Sequence, residues 1–296
     1  MKVLLTGASG QLGHALQAST PDNVHLISCR HHQLDLTDEN KTYRLVSEIR
    51  PDWVINAAAF TAVDQAENKS DLCYAINAQA PATLVKVVDE INGRLLQIST
   101  DFIFNGEQGN PYSLHQDAKP LGVYGASKAA GEEAVLEFPG SKVLRTSWLY
   151  GPVGSNFCLT MLRLHATRAA RGQYLDVVAD QIGSPTSTYS LAGACWGVLA
   201  MGNSADPNRI FHWSDSGVAS WFDFAVAIGE LSVSIGLLDE AAIVRPITTE
   251  EYPTPAKRPK YSVLDCSSTR KLLHLYPLHW RSSLEKVLVD ISRGVS

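Results

Sequence analysis

A short apolar run, Lys2-Val3-Leu4-Leu5-Thr6, leads straight into Gly7-Ala8-Ser9-Gly10-Gln11-Leu12-Gly13, and an amphipathic segment follows. Strand, glycine turn and helix in that order constrain the fold more than any other stretch of this chain. One glycine permits the tight turn, a second lets a ligand approach the backbone, and a third lets helix and strand pack closely. The helix then begins with unpaired backbone N–H groups and the positive end of its dipole at the turn, which suits a pyrophosphate. Gly7, Gly10 and Gly13, with Ser9, Gln11 and Leu12 between them, are the expected phosphate cradle of a bound dinucleotide.

The first half keeps the rhythm set by this opening. Val24–Ser28, Trp53–Asn56, Arg94–Ser99 and Lys142–Arg145 read as strands. Asp38–Ile49, Pro81–Ile91 and Tyr124–Glu137 read as helices, the first of them stopped by Pro51. Alternating strands and helices, with strands apolar on both faces, predict an α/β fold: a Rossmann-like doubly wound parallel sheet. Residues 1–152 are expected to form the NAD(P)-binding domain. After Pro152 the rhythm weakens: helices over Asn156–Thr167 and Ser187–Ala200, strands over Tyr174–Val178 and Arg209–Trp213, and a helix beginning at Trp221. Residues 153–296 are expected to be mainly a smaller, substrate-binding domain that returns some elements to the first. Pro246, Pro253, Pro255 and Pro259 punctuate it, which predicts long loops there.

Composition narrows the classes of function. A net charge of −5 gives no electrostatic reason to bind nucleic acid or an acidic membrane surface. No stretch reaches the roughly 18 apolar residues that a membrane span needs. The N-terminus lacks the pattern of a secretory signal. Five scattered cysteines without a Cys-x-x-Cys pair fit reduced thiols and a cytoplasmic location. Nine histidines show no metal-ligand spacing, so no metal is expected.

The chemistry concentrates in three places. Tyr124-Gly125-Ala126-Ser127-Lys128 puts a phenol and an ammonium one helical turn apart, on one face. A free tyrosine is a poor acid–base near neutrality, and a neighbouring ammonium would favour the phenolate and lower its pKa. Ser99-Thr100 closes the fourth strand, and the carboxyl ends of parallel strands are where ligands sit. Either hydroxyl could hydrogen-bond a substrate carbonyl. The end of strand two, where an acid often holds the adenosine ribose, reads Ser28-Cys29-Arg30-His31-His32. Arg30 is suited to the 2′-phosphate of NADP, Asp35 and Leu36 are placed to face the adenine, and the cofactor is expected to be NADP or NAD, leaning to NADP. After strand three, Ala57, Ala58 and Ala59 are small enough to let backbone approach the cofactor.

These residues resemble the extended short-chain dehydrogenase/reductase family, and within it the dTDP-4-dehydrorhamnose reductases. The resemblance runs in order through Asn56-Ala57-Ala58-Ala59-Phe60-Thr61-Ala62-Val63-Asp64, Asn77-Ala78, Ser99-Thr100-Asp101-Phe102-Ile103-Phe104 and Tyr124 to Lys128. It continues through Arg145-Thr146-Ser147-Trp148-Leu149-Tyr150-Gly151, Asp180-Gln181-Ile182-Gly183-Ser184-Pro185-Thr186, Arg258-Pro259, Ser262 and Leu264-Asp265. It implies reduction of a C4 ketone on a dTDP-sugar. Tyr124 would donate the proton, Thr100 would polarise the carbonyl, and Lys128 would hold the nicotinamide ribose. By the same resemblance Asp101, Ile103, Trp148, Asn156, Gln181 and Thr186 would line the substrate site, and Arg258 would meet the diphosphate. Asn156 also suits a helix cap.

Phe60, Phe102 and Gln65 depart from the tyrosines and lysine common in the family. Its magnesium-bridging glutamates are replaced by the stretch His14-Ala15-Leu16 and by Tyr189, so a metal-bridged dimer is not expected, although a homodimer stands as the candidate assembly. Two alternatives stay open: another nucleotide-sugar 4-ketoreductase, of the 6-deoxy-L-talose type, and a non-catalytic regulatory subunit like the β subunit of methionine adenosyltransferase.

Overall fold

The computed structural model describes residues 1–202 and 209–294. Six parallel strands form the central sheet: β1 (Lys2–Thr6), β2 (His25–Cys29), β3 (Trp53–Asn56), β4 (Arg94–Thr100), β5 (Lys142–Thr146) and β6 (Ile210–Trp213). Their order is β6-β5-β4-β3-β1-β2. The chain turns one way from β1 to β2 and the other way from β1 to β3, so the crevice outside β1 and β3 is the switch point where such sheets take ligands. Thr6 lies opposite Asn56, and Thr100 opposite Thr146, which aligns the carboxyl ends.

Alternation along the strands divides the core in two. Val3, Leu5, Ile55, Leu96 and Leu144 point to one face, under α1 (Gln11–Ala18) and a later helix over Thr188–Ala200. Leu4, Val54, Leu95 and Val143 point to the other, under α2 (Glu39–Ile49), α3 (Ala80–Glu90) and α4 (Val123–Leu136). Each such side chain, fully buried, contributes about 1.5–3 kcal/mol. The α5 helix spans Phe157–Ala169, α6 is the Thr188–Ala200 helix, α7 spans Trp221–Ser234 and α8 spans Trp280–Ser292. Thus β6 and α6, both from the second half, complete the first-half sheet and its cover.

A second core gathers α5, α7 and α8 around Tyr150, Phe224 and Trp280. Ser220 and Asp223 start α7 with a reciprocal capping box. The region expected to be proline-rich loop is more ordered than that. Val244–Ile247 pairs in parallel with Leu175–Val178, with Pro246 inside the strand. Proline is tolerated there because the two-stranded sheet leaves one side without a ladder partner. Among the described residues, no helix is long and apolar enough to cross a membrane.

Candidate active site

The glycine cradle has the geometry that a pyrophosphate needs. Gly7 has φ +69°, and a Cβ there would lie 2.6 Å from the Ala58 nitrogen and 2.7 Å from the Ala57 carbonyl carbon. A Cβ on Gly13 would lie 2.3 Å from the Gly7 oxygen. The Gly10 N–H donates to the Gly7 carbonyl at 2.9 Å, and Thr6 Oγ1 donates to Asn56 Oδ1 at 2.6 Å, which locks β1 against β3. Backbone at Gly7 and half-buried Ala57, Ala58 and Ala59 therefore meet at the switch point, where the N-terminus of α1 opens. These residues fit a dinucleotide. Ser9 and Gly10 are exposed at the turn, whereas Leu12 is a core side chain and offers only its backbone.

At the end of β2, Arg30 is exposed, and its guanidinium has no partner among the described residues. Leu36 is buried in the core. The Asp35 carboxylate accepts from the Thr37 N–H at 2.9 Å and the Thr37 hydroxyl at 2.7 Å, and these bonds lower its pKa. That carboxylate is spent on its own turn, so only its remaining acceptor capacity could face an adenine.

Thr100 ends β4, and Tyr124 and Lys128 lie on α4, which packs on β4. The Thr100 hydroxyl donates to Asp101 Oδ1 at 3.1 Å, accepts from the Phe102 N–H at 3.2 Å, and also interacts with the Tyr124 hydroxyl. Lys128 Nζ donates to the Ile98 carbonyl at 2.6 Å. The expected lowering of the Tyr124 pKa by Lys128 does not occur. Burial pushes the phenol up to about 12, and burial pulls Lys128 down to about 8. Desolvation is the largest influence on both groups, and Lys128 is not among the charges that move the Tyr124 phenol. The phenol is consequently held protonated. Asp101 is buried, and burial raises its carboxyl to about 6.

Among the residues expected to meet substrate, Trp148 adopts φ +45°, a strained conformation for a bulky residue, costing on the order of 1–3 kcal/mol. Its indole stacks on Trp221 at 3.5 Å between centroids and 3° between planes. Gly183 makes room for it: a Cβ there would lie 2.4 Å from the Trp148 ring. Trp221 Nε1 donates to Gln181 Oε1 at 3.2 Å. Asn156 caps α5 by accepting from the Leu159 N–H at 2.9 Å, and its Nδ2 donates to Gln11 Oε1 at 2.8 Å. This bond joins the glycine loop to the second half of the chain. Arg258 makes a two-point ion pair with Asp64.

Four expected lining residues are buried: Asp101, Ile103, Gln181 and Thr186. Thr186 is fully buried, with its hydroxyl donating to the Ser184 carbonyl. Ile103 is a core side chain beside Phe104 and Tyr112. Three residues at the site carried no chemical role in the sequence reading. Trp221 is the partner of Trp148. Glu67 Oε1 accepts from the Val123 N–H at 2.9 Å, at the start of the helix that bears Tyr124. Asn77, in a π-helical turn over Ala75–Gln79, exchanges hydrogen bonds with the Phe60 backbone and donates to Ser127 Oγ. Only the segments Asn77-Ala78 and Thr61 to Asp64 of the resemblance pointed near them.

Among the described residues, no cluster of three side chains could hold a metal ion. The model of a family described as RmlD substrate binding domain matches residues 1–293. A dTDP-4-dehydrorhamnose reductase of Aggregatibacter actinomycetemcomitans is 36% identical over 97% of this chain and 98% of its own length. A probable dTDP-4,6-dihydroxy-2-methyloxan-3-one 4-ketoreductase of Streptomyces antibioticus is 38% identical over 98% of this chain and 96% of its own. The crystal structure of dTDP-4-dehydrorhamnose reductase from Bacillus anthracis in complex with NADP superposes with a TM-score of 0.89 at 36% identity, covering 98% of this chain and 99% of that one.

Proposed function

The chain belongs to the family described as RmlD substrate binding domain, and on that premise we propose that it reduces the C4 ketone of dTDP-4-dehydro-β-L-rhamnose to dTDP-L-rhamnose, with a nicotinamide cofactor. The observation that carries this reading is the Thr100 hydroxyl beside that of Tyr124, with Lys128 one turn along the same helix and bonded to the Ile98 carbonyl of β4, on a sheet whose β1 and β3 open onto a glycine cradle. When bound, the cofactor supplies the hydride to C4. Tyr124, held protonated by burial, gives its proton to the oxygen on C4 as negative charge develops there. Thr100 turns its hydroxyl from Asp101 to that same oxygen, a donor already in place. Lys128 holds the nicotinamide ribose and stabilises the phenolate that remains. Trp148, backed by Trp221 and with Gln181 beside that stack, forms the wall against the sugar.

In this reading residues 1–152 hold the cofactor, and residues 153–296 mainly hold the substrate, with β6 and α6 returned to the first domain. Exposed Arg30 favours NADP by pairing with its 2′-phosphate. Five free, buried cysteines suit a reducing compartment, and the cytoplasm is our assignment. The relative from Streptomyces antibioticus, another 4-ketoreductase by its name, supports a second reading in which the substrate or the reduced product is a different dTDP-sugar. Product analysis by NMR tests both. The main reading expects dTDP-L-rhamnose from dTDP-4-dehydro-L-rhamnose; dTDP-6-deoxy-L-talose, or turnover only of a different 4-keto sugar, would select the second.

A further inference from the structure

Arg258 is already half of an ion pair, and the unpaired half of its guanidinium is informative. Nη2 donates to Asp64 Oδ2 at 2.8 Å and Nη1 to Asp64 Oδ1 at 3.1 Å. Nη1 also donates to Thr254 Oγ1 at 2.5 Å and to the Ala256 carbonyl at 3.2 Å. A guanidinium carries five N–H groups in one rigid plane. These contacts use its outer end and the side nearest the chain. The Nε–H and the second N–H of Nη2 remain, a side-on fork with no partner among the described residues. Two parallel N–H groups at a fixed spacing match two oxygens of a diphosphate.

Asp64 is itself held in place. It accepts from the Ala256 N–H at 3.2 Å, and Arg258 lowers its pKa. It sits in the short helical turn Val63–Ala66, immediately before the Glu67 that receives the Val123 N–H. One segment therefore braces both the start of the helix bearing Tyr124 and the loop bearing Arg258. Glu67, Phe102, Tyr124, Ala256 and Pro259 line a common slot between them. The side chains of Arg258 and Asp64 are 24% and 40% exposed, within reach of a ligand.

We propose that Asp64 is a positioning residue for the nucleotide-sugar diphosphate. It fixes the outer end of Arg258 so that the free side-on fork faces the ligand. This inference rests on the nucleotide-sugar reading above. An Asp64 that merely competed with the diphosphate for Arg258 would act with the opposite sign, because its removal would tighten binding.

Calorimetry with dTDP and steady-state kinetics with the dTDP-sugar, on the full chain, test the proposal in Asp64→Asn, Arg258→Ala and the double variant. Asp64→Asn should weaken dTDP binding roughly tenfold, the scale of a hydrogen bond to a charged group. KM should rise by a similar factor, with a smaller effect on kcat. Thymidine, which lacks the diphosphate, should bind wild type and Asp64→Asn equally, and Asp64→Asn should add nothing in the Arg258→Ala background. A purely structural role would weaken thymidine as much as dTDP, and that result overturns the proposal. Unchanged or tighter dTDP binding in Asp64→Asn, with Arg258→Ala still weakening it, overturns the proposal and leaves the nucleotide-sugar reading standing. No effect of Arg258→Ala on dTDP binding removes the diphosphate role of Arg258 and the proposal with it. Should Asp64→Asn not fold, Asp64→Glu retains the charge at a shifted position and decides the matter: dTDP should lose affinity and thymidine should not, and equal losses count against the proposal.

Discussion

Replacing Lys128 with methionine should stabilise the fold near neutral pH. Lys128 is 4% exposed, and burial pulls its pKa from the ordinary 10.5 to about 8, against a weaker upward pull from Glu132. The unfolded chain therefore holds this proton more tightly than the native one. For a cation with a lowered native pKa, the native state carries a penalty that is full below pH 8 and fades as pH rises toward 10.5. The gap between 8 and 10.5, at about 1.4 kcal/mol per pKa unit, makes the penalty roughly 3 kcal/mol. At pH 9.5 only about 1.4 kcal/mol of it remains. Methionine fills similar space without a charge but forfeits the bond to the Ile98 carbonyl, worth about 1 kcal/mol. Urea titrations of both proteins at pH 7 and pH 9.5, without added nucleotide, measure the difference. The variant should be favoured by about 2 kcal/mol at pH 7, and the advantage should shrink to near zero at pH 9.5. A variant destabilised by the same amount at both pH values would refute the argument that Lys128 is kept buried at a cost to the fold.

Gly13→Ala should lower cofactor affinity and cost about 1–3 kcal/mol of stability, because its Cβ would overlap the Gly7 carbonyl, which cannot step aside; fluorescence titration with NADPH and a thermal melt check both. Arg30→Ala should weaken NADPH roughly tenfold and spare NADH, and equal losses for the two cofactors would exclude a 2′-phosphate contact. Glu132→Gln should cost about 3–5 kcal/mol in urea unfolding, since Arg145, buried beside a His212 that burial and Arg145 hold neutral, would keep its charge without its carboxylate.

Much of the fold was legible because its signals are local. Continuously apolar strands, Gly7 to Gly13, Asn156 as the cap of α5 and Tyr124 with Lys128 on one helix face all follow from residues within a few positions of each other. The remainder depends on contacts that sequence separation hides. Asp64 and Arg258 meet across 194 positions, and Trp148 and Trp221, far apart along the chain, stack ring on ring. Thr186 was expected to line the site from the resemblance, and the two-residue strand Thr186–Ser187 is too short for a period that would tell inside from outside. Pro246 suggested a loop because its tolerance depends on the strand having a neighbour on one side only. The direction of the Tyr124 pKa differs from the expectation because the four-residue spacing to Lys128 carries no information on desolvation, the largest influence on the phenol.

The central claim is that Tyr124 delivers the proton in a nicotinamide-dependent reduction of a dTDP-4-keto sugar. Its most direct test follows NADPH oxidation while dTDP-4-dehydro-L-rhamnose is generated in place by the epimerase that supplies it, with wild type and Tyr124→Phe side by side. The account predicts oxidation that requires the sugar, a loss of about 10²–10⁴-fold in the variant, and unchanged NADPH binding. A Tyr124→Phe protein that turns over at the wild-type rate would contradict it.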